Sequence, residues 1–313
     1  MVAKQASEST RIQPQKTGIR LAAALSWLAM LVASSLPLIL FREVYGSEPY
    51  WLAWVSSGTL VAILLATILA KSLRPITSFV FLICLIYFLG YGAGWQWGLI
   101  PFVRSSSVWI SWTSSLPWAV SQLATHVLRL TPAIAVMSFL LLKGRRRKDF
   151  FLRVGKIDAP AEPSRLIGMK RPQPWTRIGS IFALVFAAGT ISFLMISAPP
   201  TLGIFVRALP LIPVAILIAG INSFNEEFTL RAAPLSELVQ ALGKQQALLI
   251  TTVYFGLGHF YGIPNGVLGV ALASFLGWFL GKSLLETKGF FWAWTIHFVQ
   301  DVFIFTFLAM AAL

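Results

Sequence analysis

Eleven acidic residues are distributed over 313 positions, and their placement is uneven. None lies between Glu48 and Asp149, and none between Glu162 and Glu226. Within long apolar runs the acids reduce to Glu226, Glu227 and Asp301. Two of the three histidines, His259 and His297, fall in the same C-terminal part of the chain. An ionisable side chain at the centre of a bilayer costs about 2.5–3.5 kcal/mol on insertion scales, so it is a functional candidate by default. Carboxylates and imidazoles in such a place can act as acid and base, relay protons or ligate Zn²⁺.

Spacing adds direction. Glu227 and Arg231 are one helical turn apart with the acid N-terminal, the favourable order for an i,i+4 pair. That couple reads first as a structural ion pair near a helix end. Glu226, about 100° around the same helix, is then left to face a cavity. Phe255 and His259 share the i,i+4 relation, as do His297 and Asp301. Asp301 can therefore accept a hydrogen bond from His297 and fix its tautomer. A single membrane histidine reads as a helix-packing donor, but His259 and His297 together with Glu226 read as a site. His126 keeps the packing reading, with Arg129 nearby and no acidic partner. There is no His-Glu-x-x-His helix, but the Glu/His/Asp set leaves zinc open.

These residues must be held by membrane-spanning helices. The chain is 57% hydrophobic and 12% charged, against about a quarter charged in a soluble domain, and its mean hydropathy is +0.77. Twelve Trp and 24 Phe suit interfaces and lipid-facing helices. Apolar runs near the roughly 20 residues a span needs fall at 21–41, 51–70, 76–91, 124–142, 178–198, 204–233, 247–260, 267–285 and 290–313. The fold class expected is all-α, a polytopic bundle of about eight or nine spans. The first run is too long for a signal-peptide core and lacks a cleavage site, so it reads as a retained span. If the helix bearing Glu226 ends near Ala233, Glu226 lies about 10 Å inside the cytoplasmic boundary. His297, seven residues into the last run, reaches a similar depth from the same side, and His259 comes out deeper.

The net charge of +14 is concentrated rather than general. Residues 143–177 hold eleven Lys and Arg against Asp149, Asp158 and Glu162. Such a cluster marks a cytoplasmic loop and attracts anionic lipid headgroups, which argues against nucleic acid as the partner. Its prolines, Pro160, Pro163, Pro172 and Pro174, suggest an extended segment. Three regions follow: 1–142 with four spans and no motif, 143–177 as a basic cytoplasmic loop, and 178–313 as the site-bearing core. The N-terminus is expected on the cytoplasmic side. The segment 92–118, with Trp95, Trp97, Trp109, Trp112 and Trp118, reads as an interfacial re-entrant or surface helix. Cys84 is alone, which leaves no internal disulfide and no thiolate metal site.

In order along the chain, Glu226-Glu227-x-x-x-Arg231, Phe255-x-x-x-His259 and His297-x-x-x-Asp301 resemble the three motifs of the CPBP family, the CAAX proteases and bacteriocin-processing enzymes. The resemblance covers about residues 178–313. It implies a glutamic-type intramembrane endopeptidase with no cofactor and no metal. Glu226 would be the general base that activates water, His259 would help bind and polarise it, and His297 with Asp301 would stabilise the oxyanion. Glu227, Arg231 and Phe255 would support the site. The family has Asn or Asp at the position of Asp301; an ionised Asp would repel an oxyanion, so here it would stay protonated or hold His297 in its donating form. The expected substrate is a membrane-associated peptide or protein, lipid-modified ones included by analogy, and the expected setting is a bacterial plasma membrane. The alternatives are a non-proteolytic binding or immunity protein of the same fold and a proton-coupled carrier.

Overall fold

The computed structural model describes residues 2–92 and 96–313, and for residues 2–17 and 91 the backbone alone. Trp95 lies outside the described residues. In chain order the helices are α1 (Val2–Ala33), α2 (Leu36–Ile39), α3 (Leu52–Leu69), α4 (Thr77–Ile86), α5 (Leu99–Ser105), α6 (Ser107–Ser114), α7 (Trp118–Arg129), α8 (Thr131–Leu142), α9 (Trp175–Ser197), α10 (Leu202–Ala208), α11 (Ile212–Glu226), α12 (Ala233–Leu242), α13 (Lys244–Leu257), α14 (Gly266–Thr287) and α15 (Phe291–Ala311). Among the described residues the one sheet is an antiparallel pair, β1 (Pro160–Ala161) and β2 (Gln173–Pro174).

The fold is all-α and polytopic. Seven helical stretches among the described residues are long and apolar enough to cross a membrane, and an eighth forms if the bent pair 18–33 and 36–44 is one span. The bend of 58° follows from Pro37 at the start of α2. Proline lacks the N–H that would continue the ladder and its ring clashes with the carbonyl four residues back. The run 247–260 forms only the 14 residues of α13, about 21 Å of helix, shorter than a hydrocarbon core of about 30 Å. The tryptophan-rich segment contains the short helices α5 and α6 rather than a span.

Two compact units make up the chain. The first combines Met1–Gly98 with Pro234–Trp278. In it α1 packs against α3, α4 and α13, and Trp27 Nε1 donates to Gln246 Oε1 at 3.1 Å. After the first bent segment, Arg42 pairs with Glu48 at 2.6 Å, and Glu48 also accepts from Trp97 Nε1 at 3.0 Å.

The second unit combines Leu99–Ala233 with Phe279–Leu313. Here α15 packs along α11 and α9, and α7 packs on α11. Small residues permit this close approach: Ala215 and Ala219 of α11, flanking Ile218, meet Phe305 of α15, with Leu123 of α7 against the same cluster. Gly179 of α9 lies against the ring of Trp292, where a Cβ would collide.

The basic segment 143–177 is not extended. It folds into a small cap around the β1–β2 pair, with Phe150, Phe151 and Trp175 buried. Backbone bonds join it to the α14–α15 turn, from Lys156 N to Thr287 O at 2.8 Å and from Phe290 N to Arg153 O at 2.7 Å. Trp292 Nε1 donates to Ile157 O at 2.8 Å. Trp175 Nε1 donates to Glu286 Oε2 at 2.8 Å. Gly155 adopts a positive φ of 79° and abuts the Gly289 backbone, so any side chain there would be doubly excluded. Prolines shape this cap, while its buried aromatics are what hold it down.

Candidate active site

Between α11 and α12 the helix does not stop at Ala233. Residues Glu227–Ala232 form a π-turn, in which the Ala233 N–H donates to Phe228 O, five residues back. Pro234 accounts for it. A regular α-turn would drive its ring into the carbonyl of Leu230, and a widened turn relieves the clash. Such π-bulges recur at functional sites. The depth reckoned from a helix end at Ala233 therefore does not hold, because helical backbone continues to Leu242.

The widened turn follows directly on Glu226, and the two adjacent carboxylates diverge. Glu227 is fully buried and pairs with Arg231, also fully buried, as the i,i+4 spacing predicts. Its Oε1 accepts from His297 Nδ1 of α15 at 2.8 Å. Glu226 points elsewhere. Its Oε1 accepts from Arg129 Nη2 of α7 at 3.2 Å, and its Oε2 lies 3.9 Å from His297 Nε2. Asp301 Oδ1 lies 3.6 Å from the same His297 nitrogen. Its Oδ2 accepts from Asn222 Nδ2 at 3.0 Å.

The second unit thus brings Glu226, which is half-buried, together with the buried Glu227, Arg231, His297 and Asp301 into one cluster on α11, the π-turn and α15. One expected contact is reassigned. The nitrogen that sets the His297 tautomer donates to Glu227, not to Asp301; spacing brings residue 301 beneath the ring, but the ring turns its Nδ1 the other way. His259 and Phe255 belong to the first unit. His259 lies half-buried just beyond the end of α13, where its Nδ1 donates to Phe255 O at 2.8 Å. A carbonyl can only accept, so Nδ1 carries a proton. Phe255 also packs its ring against the imidazole, with centroids 4.5 Å apart.

Two residues of the cluster escape motif reading. Asn222 had a usable signal, being a polar residue in an apolar helix one turn before Glu226 and so on the same face. Arg129 had none, because its acidic partner is 97 positions away. Among the described residues no three His, Cys, Asp or Glu side chains are grouped as metal ligands.

On the far side of α11, a cavity of about 480 Å³ is lined by apolar residues of α8, α11 and α15, including Met137, Ile221, Phe224 and Phe298. Phe224 stacks on Phe228 of the π-turn at 5.8 Å, and Phe150 of the cap meets Phe228 edge-on at 5.8 Å.

A family model described as "Type II CAAX prenyl endopeptidase Rce1-like" matches residues 207–303, a stretch that contains every member of the cluster except Arg129. Comparison with curated proteins and with solved structures gives no match.

Proposed function

We propose that this chain, which belongs to the CPBP family through its Rce1-like domain at residues 207–303 and is a proteolytic membrane enzyme, hydrolyses a peptide bond of a membrane-associated substrate with water activated by Glu226. The observation that carries the reading is the approach of Glu226 and His297 from two different helices within the matched segment. Two atoms 3.9 Å apart, Glu226 Oε2 and His297 Nε2, share a point within hydrogen-bond reach of both. Water at that point loses a proton to Glu226 as its oxygen bonds to the scissile carbonyl carbon.

The carbonyl oxygen becomes an oxyanion and needs a donor. With both ring nitrogens protonated, His297 gives Nδ1–H to Glu227 and offers Nε2–H to the oxyanion. Glu226 then passes its proton to the amine nitrogen as the C–N bond breaks. Glu227 and Arg231 orient His297. The substrate is a peptide or protein, lipid-modified or not, and the enzyme lies in a bacterial plasma membrane with its N-terminus cytoplasmic. The basic residues of the cap support that orientation and suit anionic lipids as partners.

The test is cleavage of a peptide library by detergent-purified protein, with and without a chelator and with no gradient imposed. Cleavage that survives chelation supports the reading. Loss on chelation would shift the chemistry to a bound metal. No cleavage by folded protein would favour a binding or immunity protein, or a carrier. Within this scheme Asp301→Asn keeps measurable activity, within about tenfold of wild type, a cost of about 1.4 kcal/mol. Glu227 still orients His297, and an amide oxygen at 301 can still accept from Asn222. Steady-state rates check this, and complete loss would show that the carboxylate itself is required.

A further inference from the structure

The geometry points to Arg129, oriented by His126, as a positioning residue for Glu226, a role that rests on the hydrolytic reading of the site. Both residues lie on α7, upstream of the segment matched by the family model. A chain of hydrogen bonds fixes the direction of each member. His126 Nδ1 donates to Gln122 O at 2.8 Å. Because that carbonyl can only accept, Nδ1 holds the proton and Nε2 is left as an acceptor. Arg129 Nη1 donates to that Nε2 at 3.3 Å. The second arm of the guanidinium, Nη2, then reaches Glu226 Oε1 at 3.2 Å.

The imidazole cannot swing away. His126 is buried, and Phe305 of α15 meets its face edge-on with centroids 4.9 Å apart. The planar guanidinium carries its arms in a rigid fork, so holding Nη1 on His126 sets where Nη2 points. Engaging Oε1 in turn directs Oε2 towards His297 Nε2. A freely rotating carboxylate would present either oxygen, at varying distance from the water it must deprotonate. A buried ion pair is weak grounds for stability, since apolar residues of similar volume often serve as well. Direction is what this pair adds. The arrangement also gives the sequence-level neighbours His126 and Arg129 an acidic partner, which they lacked as a local pair.

The experiment uses full-length protein in detergent and a cleavable peptide, with Glu226→Gln as reference. Arg129→Ala should lower kcat by about 10²-fold, the cost of a misplaced catalytic group, with KM changed by less than about twofold. Millimolar guanidinium should restore part of the lost rate. His126→Phe keeps a ring against Phe305 but removes the acceptor, and should lower kcat by about tenfold at constant KM. Arg129→Lys, a point charge without the fork, should fall between wild type and Arg129→Ala.

Folded Arg129→Ala with wild-type kcat, beside an inactive Glu226→Gln, would overturn the inference and leave the hydrolytic reading standing. A loss expressed in KM alone would assign Arg129 to substrate binding and also overturn it. If Arg129→Ala does not fold, Arg129→Lys and His126→Phe decide, and unchanged kcat in both overturns it. Wild-type protein that cleaves nothing sinks the hydrolytic reading itself, and this role with it.

Discussion

Glu226→Gln is expected to lower kcat for peptide cleavage by about 10²–10⁴-fold, the range a positioned general base contributes, with a smaller loss of stability than a fully buried pair would show, since Arg129 and Glu226 are only partly buried. The substitution is nearly isosteric. A glutamine oxygen can still accept from Arg129 Nη2, as Glu226 Oε1 does at 3.2 Å, so the packing of α7 on α11 has no reason to change. What disappears is the basic oxygen near His297 Nε2. Glu226→Asp makes the complementary probe. It keeps a carboxylate but draws it back by about one methylene, and a misplacement of about 1 Å costs about 10²-fold. The measurement is steady-state kcat and KM for the three proteins, alongside their unfolding midpoints. Full activity of a folded Glu226→Gln would remove Glu226 from the chemistry.

Arg231→Met is expected to destabilise the protein by about 3–5 kcal/mol, the cost of leaving one charge of a buried pair without its partner. Arg231 and Glu227 are both fully buried, so solvent cannot compensate the carboxylate left behind, and His297, which bonds Glu227 Oε1, offsets the loss in part. The second replacement should reverse most of the loss. In the double variant Glu227→Gln/Arg231→Met the pair itself carries no charge, the amide oxygen at 227 can still accept from His297 Nδ1, and Glu226 and Asp301 remain near the His297 ring. Unfolding midpoints in a mild-detergent titration, arranged as a double-mutant cycle, measure the coupling. Equal and additive losses in the two single variants would show that Glu227 and Arg231 do not act as a pair.

Much of this architecture was legible in the residues. Apolar runs predicted the spans because a bilayer leaves helix as the available structure for them. The divergence of Glu226 and Glu227 followed from the angular step of a helix, and the Glu227–Arg231 pair from its i,i+4 spacing. Three features were not legible, each for a physical reason. The i,i+4 spacing of His297 and Asp301 brings two side chains near each other but does not say which ring nitrogen faces which carboxylate. The π-turn depends on Pro234 interrupting a helix whose hydropathy continues unbroken, a local steric event that an apolar count does not register. The cap looked extended from its prolines, although Phe150, Phe151 and Trp175 offered an apolar core to an otherwise charged segment. Arg129 stood furthest from reach, since a pair across 97 residues needs the helix packing before it has meaning.

The second unit is assembled from two separated stretches, Leu99–Ala233 and Phe279–Leu313, and this sets an order of events during synthesis. Chains emerge N-terminal first, so α7 and α11 are present together, and Arg129 can meet Glu226, well before α15 has left the ribosome. Glu227 and Arg231 can pair at that stage as well. His297 and the packing of α15 along α11 come later. Until then Asn222 of α11 and Glu227 of the π-turn wait for their α15 partners, Asp301 and His297, in a medium where an unsatisfied polar group is costly. Docking of α15 is therefore the step that supplies Glu227 with His297 and Asn222 with Asp301.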